Sequence, residues 1–372
     1  MKVCIVLGTR PEIIKMSPVI RECERLGLDS FVLHTGQHYS YSMDGVFLEQ
    51  LKLPEARYNL EVGSGSHAEQ TGKILVGVEH VLLRERPNIV LVEGDTNTVL
   101  AAALASVKLG VRVGHVEAGL RSYDRMMPEE INRVVADHCS DLLFAPTEES
   151  KKTLLREGIP ESRVFVTGNT IVDAVIQNLK IAEKKADGLK QFGVEKKSYF
   201  LATVHRQENV DSKKRLGGIL KGLEKVHGKY KLPVIYPVHP RAKKQLGKFK
   251  LKAEGITLTD PLDYLTFLQL ENNAKLVLTD SGGVQEETCV MKVPCVTLRY
   301  NTERPETLQV GANMLAGTEP TSIILKTSEM LEKPTSWKNP FGEGKAGKKI
   351  IETTINKNKS SEPSKTLNKE RS

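Results

Sequence analysis

Short apolar runs rich in β-branched residues recur along the chain, separated by longer stretches whose apolar residues return every three or four positions. The short runs predict strands at 3–8, 30–35, 89–93, 112–117, 141–145, 164–168, 199–203, 234–238, 256–259, 276–279 and 294–298. Between them lie amphipathic helical patterns such as 68–86, 98–109, 129–139 and 213–227. Alternation of this kind predicts βαβ units, with parallel sheets covered by helices on both faces. The first helical pattern, 11–26, contains Pro18. It predicts either a bend at that point or a helix that starts with Ser17 as N-cap and Pro18 in the first position.

The pattern breaks once. Gly168-Asn169-Thr170 closes a strand, a polar helix runs to about residue 190, and a new strand opens at Tyr199. The expectation is an α/β fold of two doubly wound, Rossmann-like domains facing across a cleft, residues 1–170 and 171–350, with the helix after Asn169 as hinge. The segment NKNKSSEPSKTLNKERS is too poor in apolar residues to join a core, so 351–372 is expected to be a disordered basic tail.

Composition narrows the class. With 372 residues, 39% of them hydrophobic and 27% charged, the chain is expected to be a soluble globular protein of two or three domains. It has no uncharged apolar run near the roughly 18 residues of a membrane span. The opening MKVCIVLGTRPE is too short in apolar residues for a signal peptide, and a cytoplasmic setting is expected. Cys4, Cys23, Cys139, Cys289 and Cys295 show neither metal-ligand nor disulfide spacing and read as small buried hydrophobes, so no metal is expected. The net charge of +8 gathers in runs that lack interleaved aromatics, which argues for solvated surface rather than nucleic-acid binding.

Ligands of parallel sheets bind beyond the carboxyl ends of the strands. After the first strand stand Arg10 and Lys15, in a loop, GTRPE, that is neither GxGxxG nor a P-loop. No nicotinamide site is expected there. Asp95, Glu117 and one of Glu129 or Glu130 follow later strands of the first half and are expected to converge on one sheet edge. Gathered carboxylates repel, so one tends to keep its proton and act as acid while another acts as base. In the second half His205-Arg206 and His239-Pro240-Arg241 follow strands. LVLTDSGGVQEE reads as a buried strand, a glycine turn and a helix start, where Ser281, Gly282 and Gly283 suit a diphosphate and Glu287 the hydroxyls of a ribose. Arg304 adds a further cation.

The stretches GTRPEIIKMSP, TGQH, VEGDTNT, GHVEAGLR, PEEINR, TGNTIVDA, YPVHP, TDSGGVQEE and TERPET occur in this order over nearly the whole chain. Together they resemble the non-hydrolysing UDP-N-acetylglucosamine 2-epimerases, a family with the two-domain GT-B fold. The resemblance implies that Arg10, Lys15, Asp95, Glu117 and His205 surround the sugar and diphosphate, and that Glu129 is a third catalytic carboxylate. It implies a diphosphate cradle at Ser281, Gly282 and Gly283, with His239 and Arg304 as further contacts. Glu287 matches the ribose-binding acid, and Phe267 with the backbone around Leu262 matches the uracil-binding strip. Bacterial members typically read Gly-His-Arg where this chain has Val204-His205-Arg206. They usually carry an Arg–Glu pair beside their regulatory site where it has Tyr39-Ser40-Tyr41-Ser42, so the resemblance does not carry substrate activation to this chain.

The chemistry implied is interconversion of UDP-N-acetylglucosamine and UDP-N-acetylmannosamine through a glycal, without cofactor or metal, by a homodimer. A hydrolysing relative that releases N-acetylmannosamine, a GT-B glycosyltransferase and a catalytically silent nucleotide-sugar sensor are the alternatives. The retained acidic set argues against the last two.

Overall fold

The alternating pattern is realised as two all-parallel sheets. The computed structural model describes residues 1–37 and 41–359, and of residues 41–44 the backbone alone. Tyr39, Ser40 and the side chains of Tyr41 and Ser42 therefore lie outside the described residues, as does the expected tail from 360 onward.

The first sheet comprises β1 (Lys2–Leu7), β2 (Asp29–His34), β3 (Tyr58–Asn59), β4 (Ile89–Glu93), β5 (Arg112–Val116), β6 (Leu142–Ala145) and β7 (Val164–Val166), in the order β3-β2-β1-β4-β5-β6-β7. The second comprises β8 (Phe200–Thr203), β9 (Val234–Pro237), β10 (Ile256–Thr259), β11 (Leu276–Thr279), β12 (Cys295–Thr297) and β13 (Asn313–Leu315), in the order β10-β9-β8-β11-β12-β13. Eleven of these strands coincide with the apolar runs; the two-residue β3 and the three-residue β13 are too short to leave a pattern. Central strands such as β4 are buried along their whole length because helices cover both faces. Each sheet reverses its direction of growth once, between β1 and β4 and between β8 and β11. Two doubly wound sheets of this order in one chain are the GT-B type of fold.

The chain divides into two units, Met1–Ala174 with the segment from Gly342, and Val175–Phe341. The first packs Cys4, Val6, Leu33, Val90 and Val92 under the helices His67–Glu85 and Asn97–Lys108. The second packs Tyr199, Leu201, Ile235 and Val277 against Leu270, and the Tyr199 hydroxyl donates to the Leu270 carbonyl at 2.5 Å. Among the described residues no helix is long and apolar enough to cross a membrane.

Pro18 does not end the first helix, which runs unbroken from Arg10 to Arg25. Proline at 18 leaves the carbonyl of Ile14 without its usual partner. The Ser17 hydroxyl donates to that carbonyl at 2.8 Å, so the residue expected as a cap instead repairs the helix ladder.

The C-terminal region also departs from expectation. The chain rejoins the first unit at Gly342 rather than ending its second domain at 350, and Ala346–Lys359 forms a helix where a tail from 351 was expected. Asp173 caps that helix: its two carboxylate oxygens accept the Ala346 and Gly347 N–H groups, each at 3.1 Å. Ile350 and Ile351 are fully buried, and Gly347 approaches Pro18 so closely that an added Cβ would stand 2.9 Å from the Pro18 carbonyl. Two isoleucines and a glycine in a lysine-rich segment suffice to dock it.

Candidate active site

Ligand sites of doubly wound sheets form where the strand order reverses, because the loops after the two central strands diverge there. In the first unit that point lies after β1 and β4. Gly8-Thr9 leave β1 and enter the helix Arg10–Arg25, and Glu12 ties the entry. Its carboxylate accepts the Gly8 and Thr9 N–H groups at 2.5 and 2.8 Å and the Thr96 hydroxyl at 2.5 Å. Burial raises its pKa to about 7 in spite of those bonds. Gly8 is required, since a Cβ would collide with the hydroxyls of Thr98 and Thr35.

Lys15, one turn further along, lies between two carboxylates. Its ammonium is 3.3 Å from Glu93 Oε1 and forms an ion pair with Glu117. Glu93 ends β4, and Glu117 follows β5 in a left-handed conformation, φ +68°, that a side chain adopts only under constraint. The constraint comes from the helix Pro128–Cys139. Its Asp137 accepts the Gly119 N–H at 3.1 Å, the His115 ring at 2.7 Å and the Arg121 guanidinium at 2.7 Å. His115 Nε2 donates in turn to the Gly94 carbonyl at 2.8 Å, fixing the loop that carries Asp95. Burial opposes charge on His115, but the Asp137 carboxylate prevails and raises its pKa.

The same helix holds Asp95 directly. Arg133 forms an ion pair with its carboxylate, and the Asn132 amide donates to its carbonyl at 2.9 Å. Glu129 and Glu130 differ in occupation. Glu130 is buried and accepts the N–H groups of Ser122 and Tyr123 at 2.9 and 3.0 Å, with Arg133 at 2.8 Å. Glu129, one turn before Arg133 and half-buried, makes no hydrogen bond or ion pair among the described residues. Arg10 lies at the start of the first helix, its guanidinium carbon 5.6 Å from the centre of the Phe47 ring.

The second unit repeats the arrangement after β8 and β11. His205 follows β8, and Asp280 follows β11. Asp280 is fully buried and accepts the His205 and Arg206 N–H groups, each at 3.0 Å, and the Asn209 amide at 3.1 Å. Although burial alone would raise it, these bonds and the His205 ring hold its pKa below the usual value. His239 caps the helix Pro240–Phe249 through Nδ1, which accepts the Arg241 N–H at 3.3 Å. Its ring lies 6.4 Å from that of His205, and its pKa is lowered by burial and by that neighbour.

Ser281 caps the helix Gly282–Met291. A Cβ at Gly282 or Gly283 would meet nothing nearer than 3.9 Å, so the helix start is open at both positions. Arg304 is held toward this helix by buried Glu286, Nε to Oε1 2.8 Å. Deeper in, the Tyr264 hydroxyl donates to Glu287 at 3.1 Å. Fully buried Glu271 lies beside Glu287; burial, then the charge of Glu287, pushes its pKa well up. Leu262 and Phe267 are half-buried against the core of this unit.

Arg10, Asp95, Glu117, His205, His239 and Ser281 thus stand just past strand ends, whereas Lys15, Glu129, Phe267 and Glu287 stand within helices. Sequence reasoning missed the residues that hold the candidates. Asp280 stands inside the quoted TDSGG and follows a strand, a signal that was available. Glu12, Glu93 and Arg133 also stand inside quoted stretches, but neither they nor Asp137 show by residue type that they are buried and paired, because a buried charged residue and a solvated one look alike in a single sequence.

A family model described as UDP-N-acetylglucosamine 2-epimerase matches residues 21–354. The UDP-N-acetylglucosamine 2-epimerase of Methanocaldococcus jannaschii is 56% identical over 358 residues, covering 94% of this chain and 98% of that protein. The crystal structure of the M. jannaschii enzyme in complex with UDP-GlcNAc and UDP superimposes with a TM-score of 0.87 at 55% identity, over 96% of this chain and 100% of that one. The Neisseria meningitidis UDP-GlcNAc 2-epimerase bound to UDP-GlcNAc gives 0.86 at 37% identity, again over 96% and 100%.

Proposed function

The chain belongs to the UDP-N-acetylglucosamine 2-epimerase family, and from that premise we propose that it interconverts UDP-N-acetylglucosamine and UDP-N-acetylmannosamine by elimination and re-addition of UDP. It is an epimerase of UDP-GlcNAc. The observation that carries the reading is that each unit presents complementary chemistry at its own switch point: carboxylates steadied by cations in the first, an oriented histidine and an open helix start in the second.

The proton on C2 of the sugar is not next to a carbonyl, so its simple removal is very unfavourable. Elimination avoids the difficulty. A base takes the C2 proton, the C2–H electrons form a C1–C2 double bond, and the C1–O bond breaks to release UDP with its electron pair. UDP then adds back at C1 while C2 receives a proton on the other face. This sequence needs acid and base groups on both faces of the ring, for which Asp95, Glu117, Glu129 and His205 are the candidates. It also needs a cationic cradle that stabilises UDP as leaving group, supplied by Arg10, Lys15, His239, Arg304 and the N–H groups around Ser281, Gly282 and Gly283. Glu287 receives the ribose, and Leu262 and Phe267 flank the uracil.

All five cysteines are free thiols, which supports action in a reducing cytoplasm. A homodimer follows from the resemblance. Separation of products decides between this and the hydrolysing reaction: UDP-N-acetylmannosamine as first product supports epimerisation, and free N-acetylmannosamine with UDP from the outset rejects it.

A further inference from the structure

The proposed reaction uses Lys15 and Glu117 but gives no part to Glu93. Glu93 ends β4 directly opposite Val116, the last residue of β5, so its side chain rises beside the turn that carries Glu117. It is 2% exposed, its Oε1 is 3.3 Å from the Lys15 ammonium, and that oxygen receives no other donor among the described residues. The charged groups facing it come from two elements: Lys15 and Glu12 from the helix Arg10–Arg25, and Glu117 from the turn after β5.

Two buried carboxyls, Glu93 and Glu117, contact the Lys15 ammonium, and buried Glu12 adds its charge to the same surroundings. In a site shielded from water such a gathering of carboxylates disfavours full ionisation of all three. Glu12 is secured by two N–H groups and a hydroxyl. Glu117 has the close ion pair with Lys15. Among the described residues Glu93 has only the longer contact to the same lysine, and burial, with the negative charges of Glu117 and Glu12, drives its pKa well above the ordinary carboxylate range.

We propose that Glu93 is a positioning residue of the epimerisation: it anchors Lys15 from within the sheet and leaves the lysine's charge to Glu117. The inference rests on the reading of Glu117 as an acid–base group. It has a consequence for pH. When Glu93 loses its proton at alkaline pH, it competes for Lys15, the ion pair with Glu117 loosens, and turnover declines.

The test uses the full-length protein and its E93Q and E93L variants. C2 exchange and kcat are followed across the pH range, UDP affinity is measured by calorimetry, and infrared difference spectra of wild type against E93Q are recorded at neutral pH. E93L should lose roughly 10–100-fold in kcat, with a smaller loss of UDP affinity because Arg10, His239 and Arg304 remain in the cradle. E93Q, which keeps an oxygen toward Lys15 but cannot ionise, should restore kcat to within roughly threefold and move the alkaline limb upward. The difference spectrum should show a protonated carboxyl stretch lost on substitution. An E93L variant as active as wild type overturns the inference, as does an E93Q variant as impaired as E93L. Should E93L fail to fold, an unshifted alkaline limb in E93Q overturns it by itself. The spectrum separates the two claims: if wild type lacks epimerase activity the functional reading fails, whereas absence of the carboxyl band means that Glu93 is ionised and this inference fails whatever the activity.

Discussion

Asp280 holds His205 at two points, with the ring Nδ1 3.0 Å from Oδ1 and the main-chain N–H donating to the same oxygen at 3.0 Å. A carboxylate on Nδ1 fixes which ring nitrogen is protonated and leaves Nε2 for a substrate. D280N keeps the shape but offers an amide where the ring needs an acceptor. Because acid–base groups contribute roughly 10²–10⁴-fold, kcat should fall by roughly 10² while UDP affinity changes little. Steady-state kinetics with calorimetry checks this, and a D280N enzyme within twofold of wild type would remove Asp280 from the account.

Glu117 combines a carboxylate proposed to act on the substrate with a backbone that favours glycine. E117A and E117G both remove the carboxylate, so both should lose turnover by at least about 10²-fold. They should differ in stability. Only glycine relieves the left-handed φ, and E117G should be more stable than E117A by about 1 kcal/mol. Denaturant unfolding of the pair reads the backbone strain directly, and equal stabilities would contradict it.

Glu12 links stability to pH. In the folded protein its pKa is about 7 against 4.5 for the unconstrained side chain, so between those values the folded state binds the extra proton. Stability contributed through this group therefore falls as pH rises from about 4.5 to about 7 and levels off above, a total of about 3 kcal/mol at most. E12Q cannot titrate; it keeps a carbonyl for the Gly8 and Thr9 N–H groups, and its amide donates to the Thr96 hydroxyl, which turns from donor to acceptor. The difference in unfolding free energy between wild type and E12Q, measured at pH 5 and pH 8, should move against the wild type on going up in pH. No change in that difference would show that Glu12 is not the titrating group.

Gly283 stands at the open helix start with room for a Cβ, its nearest neighbour being the Ser281 hydroxyl at 3.9 Å. G283A should therefore leave thermal stability unchanged or raise it by about 0.5–1 kcal/mol, as alanine does within a helix. It should also weaken UDP binding, because the methyl occupies the line of approach of a diphosphate to the N–H groups. Calorimetry and thermal unfolding on one preparation give both numbers. Undiminished UDP affinity would place the diphosphate elsewhere.

Much of this architecture could be read from the order of residues alone. Runs such as IVLVE and LVLT are apolar throughout because their strands are buried on both faces, and the residues just past them are where many of the candidates stand. What escaped was set by tertiary neighbours. Ser17 became a repair for Pro18, and Lys-rich 346–359 became a docked helix through Ile350, Ile351 and the Asp173 cap. The left-handed turn at Glu117 depends on Asp137, twenty residues further along, and the proton balance around Lys15 depends on which acids lose contact with water. Neither property is local, so neither leaves a local pattern.

The central claim is that the bond between C2 and its hydrogen breaks while UDP departs. Incubation of the purified protein with UDP-N-acetylglucosamine in deuterated water, followed by proton NMR, tests it most directly. The account predicts UDP-N-acetylmannosamine carrying deuterium at C2, with the same label entering recovered UDP-N-acetylglucosamine. An epimer that keeps its original C2 hydrogen would contradict it.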